Sequence, residues 1–143
     1  MEATNRIVRE HLGLRVRLDR LYALAAAPSD VLSRARWMAL LATELRELTD
    51  VLTEHFAYEE QGGYLSIIGN KHPRLDRQIA ALAAQHDQIR EQLGATALDL
   101  GRGSTLEALR GSLAAVARAV DDHEHAESEL IQSAMYDDIG PGD

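Results

Sequence analysis

The feature that most constrains the fold is a helical pattern of apolar residues, which recurs four times along the 143-residue chain. In each stretch the apolar side chains alternate at spacings of three and four, which places them on one face of an α-helix. The stretches run from Ile7 to Leu21, from Leu41 to Glu59, from Leu75 to Leu93 and from Leu106 to Ala134. Because the connections between them are short, we expect an all-α protein folded as an up-down-up-down antiparallel four-helix bundle.

The breaks between the stretches carry recognisable turn and cap residues. Ser29 or Asp30, after Pro28, can cap the second helix, and Pro73 suits the first turn of the third. Gly94 is a position where the third helix can end, and Ser104 with Glu107 predicts a capping box for the fourth. At Gly62-Gly63 the second helix can end, kink or continue irregularly. We expect one domain over residues 1–136 and a short tail over 137–143.

Composition excludes several classes of function. The chain has no cysteine, which removes disulfides, iron–sulfur clusters and thiolate zinc sites. Its net charge of −8 and aromatic content of 4% disfavour binding to nucleic acid or to an anionic membrane. The sequence predicts no membrane span and no signal peptide, so we expect a cytoplasmic protein.

One histidine interrupts each apolar stripe, and two of the histidines are followed four residues later by a glutamate on the same helix face. The six residues are His11, His55, Glu59, His86, His123 and Glu127. An unpaired carboxylate in a core is costly, and a multivalent cation would satisfy all six groups at once. This pattern predicts a metal site rather than four unrelated core imidazoles.

The spacing of the histidines along the chain supports one common layer. In an antiparallel bundle, two residues at the same level are equidistant from the turn between their helices. The midpoints between successive histidines fall at Ser33, at Asn70-Lys71 and at Ser104-Thr105, on or close to the predicted breaks. We therefore expect the four imidazoles to converge, with the two glutamates about one turn away.

The ligand types indicate which metals would fit. Imidazole and carboxylate without sulfur suit iron, zinc or manganese. Six side chains are too many for one tetrahedral zinc, but they are enough for two metals if both glutamates bridge. A mixed dinuclear site of this kind inside a bundle most often holds iron.

The ordered set H…HxxxE…H…HxxxE resembles the hemerythrin-like, or HHE cation-binding, domain family over nearly the whole chain. It is carried by His11, by the segment His55-Phe56-Ala57-Tyr58-Glu59-Glu60, by His86 and by the segment His123-Glu124-His125-Ala126-Glu127. The resemblance implies a bundle that holds two iron ions in a non-haem di-iron centre. Glu59 and Glu127 would bridge the irons with an oxo or hydroxo group, and dioxygen would bind at an open position.

The sequence departs from the oxygen-carrying hemerythrins in two places. Those proteins have a second histidine one turn from the first on the third helix, where this chain has Leu82 and Arg90. They also have an aspartate five residues after the last histidine, where this chain has Glu127 at a spacing of four. One iron would thus be poorer in imidazole, which makes dedicated oxygen storage doubtful.

Two choices remain near the predicted site. His125 and Glu129 form a second HxxxE pair, but the stripe through Val116 and Val120 leads to His123, so we expect His125 to face solvent. Tyr58 and Tyr64 are close enough in sequence to Glu59 for either to hydrogen-bond a ligand or to serve in packing alone. The sequence does not decide between these roles.

These observations favour a non-haem di-iron protein that binds or senses dioxygen or nitric oxide, or that handles iron. The alternative is a di-iron oxidase or peroxidase. Ferritin-like oxidases use Glu-x-x-His motifs, and no glutamate stands three residues before any histidine here. The same ligands serve binding and turnover, so the sequence leaves the enzyme question open. The expected partner is a small diatomic ligand, and no protein partner is indicated.

Overall fold

A computed structural model describes residues 2–26, 33–61 and 64–138 of the chain. Four long helices dominate these residues: α1 (Glu2–Ala26), α2 (Arg34–Gln61), α4 (Asp76–Gly101) and α5 (Leu106–Asp138). A short helix, α3 (Tyr64–Lys71), and a 3-10 turn (Pro73–Leu75) connect α2 to α4. α1 packs against α2 and α5, and α4 packs against the same two helices. The four long helices are antiparallel, which confirms the predicted bundle.

The apolar stripes fill the bundle with two separate clusters of buried side chains. The larger cluster lies around Trp37, whose indole Nε1 donates a hydrogen bond to the carbonyl of Leu24 at 2.9 Å. The smaller cluster lies at the other end, where α3 and the 3-10 turn contribute Leu65, Ile68 and Leu75. Each long helix passes through the level between these clusters, and the predicted histidines lie at that level.

The end of α4 differs from the one predicted. α4 does not end at Gly94 but continues to Gly101, because Leu93 and Thr96 are buried and Leu100 packs against the larger cluster. Burial of these side chains outweighs the helix penalty of one glycine, about 1 kcal/mol. The loop that follows contains Gly103 at a φ of 70°, a left-handed conformation that favours glycine.

The helix caps also differ from those predicted. Thr105 rather than Ser104 caps α5, since its Oγ1 accepts a hydrogen bond from the Ala108 amide at 3.2 Å, so the predicted capping box is wrong by one residue. α2 is capped by Ser33, whose Oγ accepts from the Arg36 amide at 3.3 Å. The predicted caps Ser29 and Asp30 lie outside the described residues.

The sequence left open whether the second helix ends, kinks or continues at Gly62-Gly63, and the helix bounds on either side answer this question. α2 ends at Gln61 and a new helix begins at Tyr64, while the two glycines lie outside the described residues. At the other end of the chain, α5 continues to Asp138, two residues into the expected tail. None of the described helices is long and apolar enough to cross a membrane.

Candidate metal centre

The six residues predicted from the stripes lie together in two groups. The first group is His11, His55 and Glu127, and the second is Glu59, His86 and His123. In each group the three candidate ligand atoms lie within 4.8 Å of one another. Each group has two imidazoles and one carboxylate, so neither is poorer in imidazole than the other.

Glu59 lies between the two groups. Its Oε1 is 2.7 Å from Nε2 of His55 in the first group, and its Oε2 is 2.7 Å from Nε2 of His86 in the second. Glu59 follows His55 by one helical turn on α2, so the first contact is set by the helix itself. The second contact depends on the packing of α4 against α2.

Glu127 is placed in the same way on α5. Its Oε1 is 3.1 Å from Nε2 of His11, while its Oε2 is 3.4 Å from Nε2 of both His55 and His123. Each carboxylate therefore directs its two oxygens toward imidazoles of both groups. This is the arrangement that two bridging carboxylates need.

Most of these facing atoms have no hydrogen-bond partner despite being buried. The unpartnered atoms are Nε2 of His55, His86 and His123, both carboxylate oxygens of Glu59, and Oε2 of Glu127. Leaving such atoms unsatisfied costs stability, since buried polar groups in native proteins nearly always find a partner. Lone pairs that converge at these distances without hydrogen bonds fit one or more bound cations.

The other ring nitrogens hold the imidazoles in the orientation that a metal requires. Three Nδ1 atoms donate to an acceptor: His55 to Glu10 at 2.6 Å, His86 to Glu60 at 2.8 Å and His123 to Gln85 at 2.7 Å. With the proton on Nδ1, a neutral ring carries its lone pair on Nε2. That atom faces the layer that the six residues of the two groups form between the helices. When these three rings are neutral, their tautomer is thus the one that binds a metal.

Two of these acceptors are anchored by arginines near the surface. Arg6 Nε donates to Glu10 Oε1 at 2.8 Å, and Arg90 donates to Glu60 Oε2 at 3.3 Å. Partial burial would raise the pKa of each glutamate, but the arginine and the histidine bound to it outweigh that effect and lower the pKa. Glu10 and Glu60 are therefore charged acceptors, whereas Gln85 is a neutral one.

In the absence of a cation, the layer holds a proton. Burial alone would lower the pKa of His55, but the carboxylates of Glu127 and Glu59 outweigh it and raise the pKa to about 11. Burial would likewise raise the pKa of Glu127, yet contacts with His11, His123 and His55 hold it well below its usual range. A bound cation would take the place of that proton, because metal ligands must be deprotonated.

The two groups differ in their access to solvent. His11 keeps 16% of its side chain exposed, and it lies at a surface pocket of about 530 Å³ between α1 and α5. In the second group the side chain of His86 is fully buried. The ring of Phe56 stacks on the His86 imidazole, with centroids 4.0 Å apart and planes inclined by 18°.

Sequence reasoning missed four polar residues around the layer. Glu10, Glu60 and Gln85 are each adjacent in sequence to a predicted ligand, a signal that could have identified them. The fourth is Glu124, which is only 6% exposed and whose Oε1 has no hydrogen-bond partner. Burial raises the pKa of this carboxyl.

The structure also places the remaining candidates. His123 is buried, whereas 79% of the His125 side chain is exposed beside Glu129, as the stripe on α5 predicts. Tyr58 packs against the smaller apolar cluster, and the guanidinium carbon of Arg6 lies 3.7 Å from the centre of its ring. The side chain of Tyr64 lies outside the described residues.

Comparison with known proteins agrees with this geometry. The family model described as the hemerythrin HHE cation binding domain matches residues 2–135. No curated protein and no solved structure matched the chain. The match includes three of the long helices in full, α5 as far as residue 135, and every residue of the two groups. The two groups suggest a di-metal centre. The chain therefore belongs to the hemerythrin HHE cation-binding domain family.

Proposed function

We propose that this protein holds two iron ions between α1, α2, α4 and α5, and that it binds or senses dioxygen or nitric oxide, or handles iron. The observation that carries the proposal is the set of buried, unpartnered Nε2 and carboxylate atoms that face one another in one layer. The donor set of imidazole and carboxylate fits iron, and the absence of cysteine removes the thiolate alternatives.

Each side chain has a defined part in holding the ions. His11 and His55 would bind the ion of the first group, and His86 and His123 would bind that of the second. Glu59 and Glu127 would bridge, because the oxygens of each carboxylate contact imidazoles of both groups. When bound, iron supplies a ferrous–ferric redox couple and an affinity for dioxygen and nitric oxide.

The residues around the layer determine where a small ligand arrives. Phe56 and the apolar side chains on either side exclude water from the second group. The pocket beside His11 leaves the first group accessible. A diatomic ligand would therefore approach from the gap between α1 and α5.

The proposal is tested by reconstituting the protein with ferrous iron under anaerobic conditions and counting iron per chain. We expect two irons, because the chain has two ligand groups. The air-oxidised protein should absorb in the near ultraviolet and bleach with dithionite, and re-oxygenation should restore the absorption. His55→Ala, which removes a ligand that contacts both glutamates, should lose iron. A single zinc per chain, with no iron recovered after reconstitution, would contradict the di-iron proposal.

An enzyme that uses the same centre is the second candidate. The surface pocket at His11 gives a peroxide or an organic reductant a place to approach the first group, so the same geometry also supports oxidase or peroxidase turnover. The two functions separate when the reconstituted protein is given peroxide and a reducing dye. Sustained dye oxidation that His11→Ala abolishes would favour the enzyme, whereas reversible spectral change without turnover would favour binding or sensing.

A further inference from the structure

Glu124 is a buried carboxylate that none of the roles above employs. It lies on α5 between the predicted ligands His123 and Glu127, and it is 94% buried. Its Oε1 has no hydrogen-bond partner. Burying a carboxylate without a partner lowers the stability of the fold, so we expect a partner that does not belong to the chain, such as a bound cation.

The nearby arginine does not satisfy this carboxylate. A guanidinium nitrogen of Arg15 lies 3.9 Å from Glu124 Oε2, which is too long for a hydrogen bond. The same nitrogen makes its close contact with Asp121 instead. Arg15 therefore pairs with Asp121 at the edge of the pocket. Oε1 of Glu124 remains without a hydrogen-bond donor.

The position of Glu124 associates it with the first group rather than the second. It lines the same surface pocket as His11, which belongs to the first group. It precedes Glu127 by three residues, so both glutamates lie on one side of α5, one turn apart. Its oxygens are not part of the compact set of ligand atoms formed by His11, His55 and Glu127.

We propose that Glu124 is a further carboxylate donor to the cation held by His11, His55 and Glu127. This inference rests on the proposed function, because it requires a cation at the first group. A carboxylate oxygen is a hard donor that suits ferrous and ferric iron. The first position then has one protein ligand more than the second, and this additional ligand lines the pocket together with His11. A small molecule that enters by the pocket competes with Glu124 for the cation.

The test compares Glu124→Met with the matched control Glu129→Met. Both replace a glutamate of α5 with an apolar side chain of similar length, but Glu129 is exposed and lies beside the exposed His125. Asp121→Asn controls for loss of a charge at the pocket. Ferrous iron affinity is measured anaerobically by competition with a chelator, the visible spectrum is recorded with cobalt(II), and the melting temperature is measured without metal.

Glu124→Met should weaken binding of one of the two ferrous ions by about tenfold or more and change the cobalt(II) absorption. It should also raise the melting temperature of the metal-free protein, since an unsatisfied buried charge is removed. The two control variants should leave the ferrous affinity and the cobalt(II) spectrum nearly unchanged.

Unchanged iron affinity in Glu124→Met, together with a lower melting temperature, would overturn the inference and assign Glu124 a structural role beside Arg15. Equal loss of affinity in Asp121→Asn would also overturn it, because long-range charge would then explain the effect. If the unaltered protein binds no ferrous iron, the proposed function fails first. If it binds two ions that Glu124→Met does not disturb, only this inference fails.

Discussion

The two ligand groups have the same composition but different surroundings. Each has two imidazoles and one carboxylate, and the same two glutamates lie between them. The first group meets an open surface pocket at His11, whereas Phe56 covers His86 in the second. Because the two groups contain the same side chains, their composition alone does not show which of two bound cations would be reached from solvent. Under the proposed function, the ion of the buried second group stays in place, and the ion of the first group binds and releases small molecules that enter by the pocket.

The largest expected effect comes from removing a ligand of the second group. His123→Ala should abolish binding of the second ion, because His123 is buried and its Nε2 faces Glu127. His125→Ala is the matched control on the same helix, since that side chain is exposed. Iron per chain measures both. Loss of iron in His125→Ala with retention in His123→Ala would mean that α5 is rotated from its position here.

A second prediction concerns the stability of the metal-free protein as pH changes. The folded pKa of His55 is raised from 6.5 to about 11, so its protonation stabilises the folded state fully below pH 6.5. That contribution is lost as pH rises through about 11. The free energy of unfolding should therefore fall by up to about 1.4 kcal/mol per pH unit between these values. The pKa of His86 is raised too, which acts in the same direction.

Denaturant unfolding at several pH values measures this slope. The iron-loaded protein is the control, because a cation replaces the proton and should flatten the dependence. The slope should also diminish in metal-free His55→Gln. A metal-free protein whose stability is constant from pH 7 to pH 10 would show that the layer holds no such proton.

A third prediction concerns the side chains that accept a hydrogen bond from Nδ1 of the two histidines in the second group. His86 donates to the charged Glu60, but His123, in the same group, donates to the neutral Gln85. Glu60→Gln should weaken metal affinity by about tenfold to a hundredfold, as is typical when such partners are lost. Gln85→Glu should strengthen it, since a charged acceptor makes the imidazole a better donor. Chelator competition measures both, and a change of the same sign in the two variants would contradict the assignment.

The smallest expected effect is on the rate of metal loss. A strong chelator should remove iron in two phases, the faster from the first group, because His11 is partly exposed. Phe56→Leu should accelerate the slower phase by opening the second group while preserving an apolar side chain. Stopped-flow absorbance follows the two phases. A single phase in the unaltered protein, or a slow phase insensitive to this change, would remove the distinction between the groups.

The convergence of the six central residues could be predicted from the sequence because two periodicities determine it. Helical spacing assigns each residue to a face, and the distance to the nearest turn assigns it to a level. These two arguments together place His11 beside Glu127, although 116 residues separate them in the sequence. The choice of His123 over His125 followed from the same spacing. The roles of these residues as ligands stay a prediction.

The polar residues around the layer could not be predicted in this way. Glu10 and Glu60 are each next to a predicted ligand in the sequence, about 100° around the helix. At such a position the apolar pattern does not distinguish the edge of the site from a face exposed to solvent. Their partners belong to other helices, so the contacts depend on how the helices are rotated against one another. The continuation of α4 past Gly94 was missed for a related reason, because tertiary burial overrides a local helix-ending signal.

The central claim is that the six residues hold two cations in one layer. It is tested most directly by anomalous diffraction at the iron edge from crystals of the iron-reconstituted protein. We expect two peaks, one beside His11 and His55 and one beside His86 and His123, with Glu59 and Glu127 between them. A single peak, or iron bound only away from this layer, would contradict it.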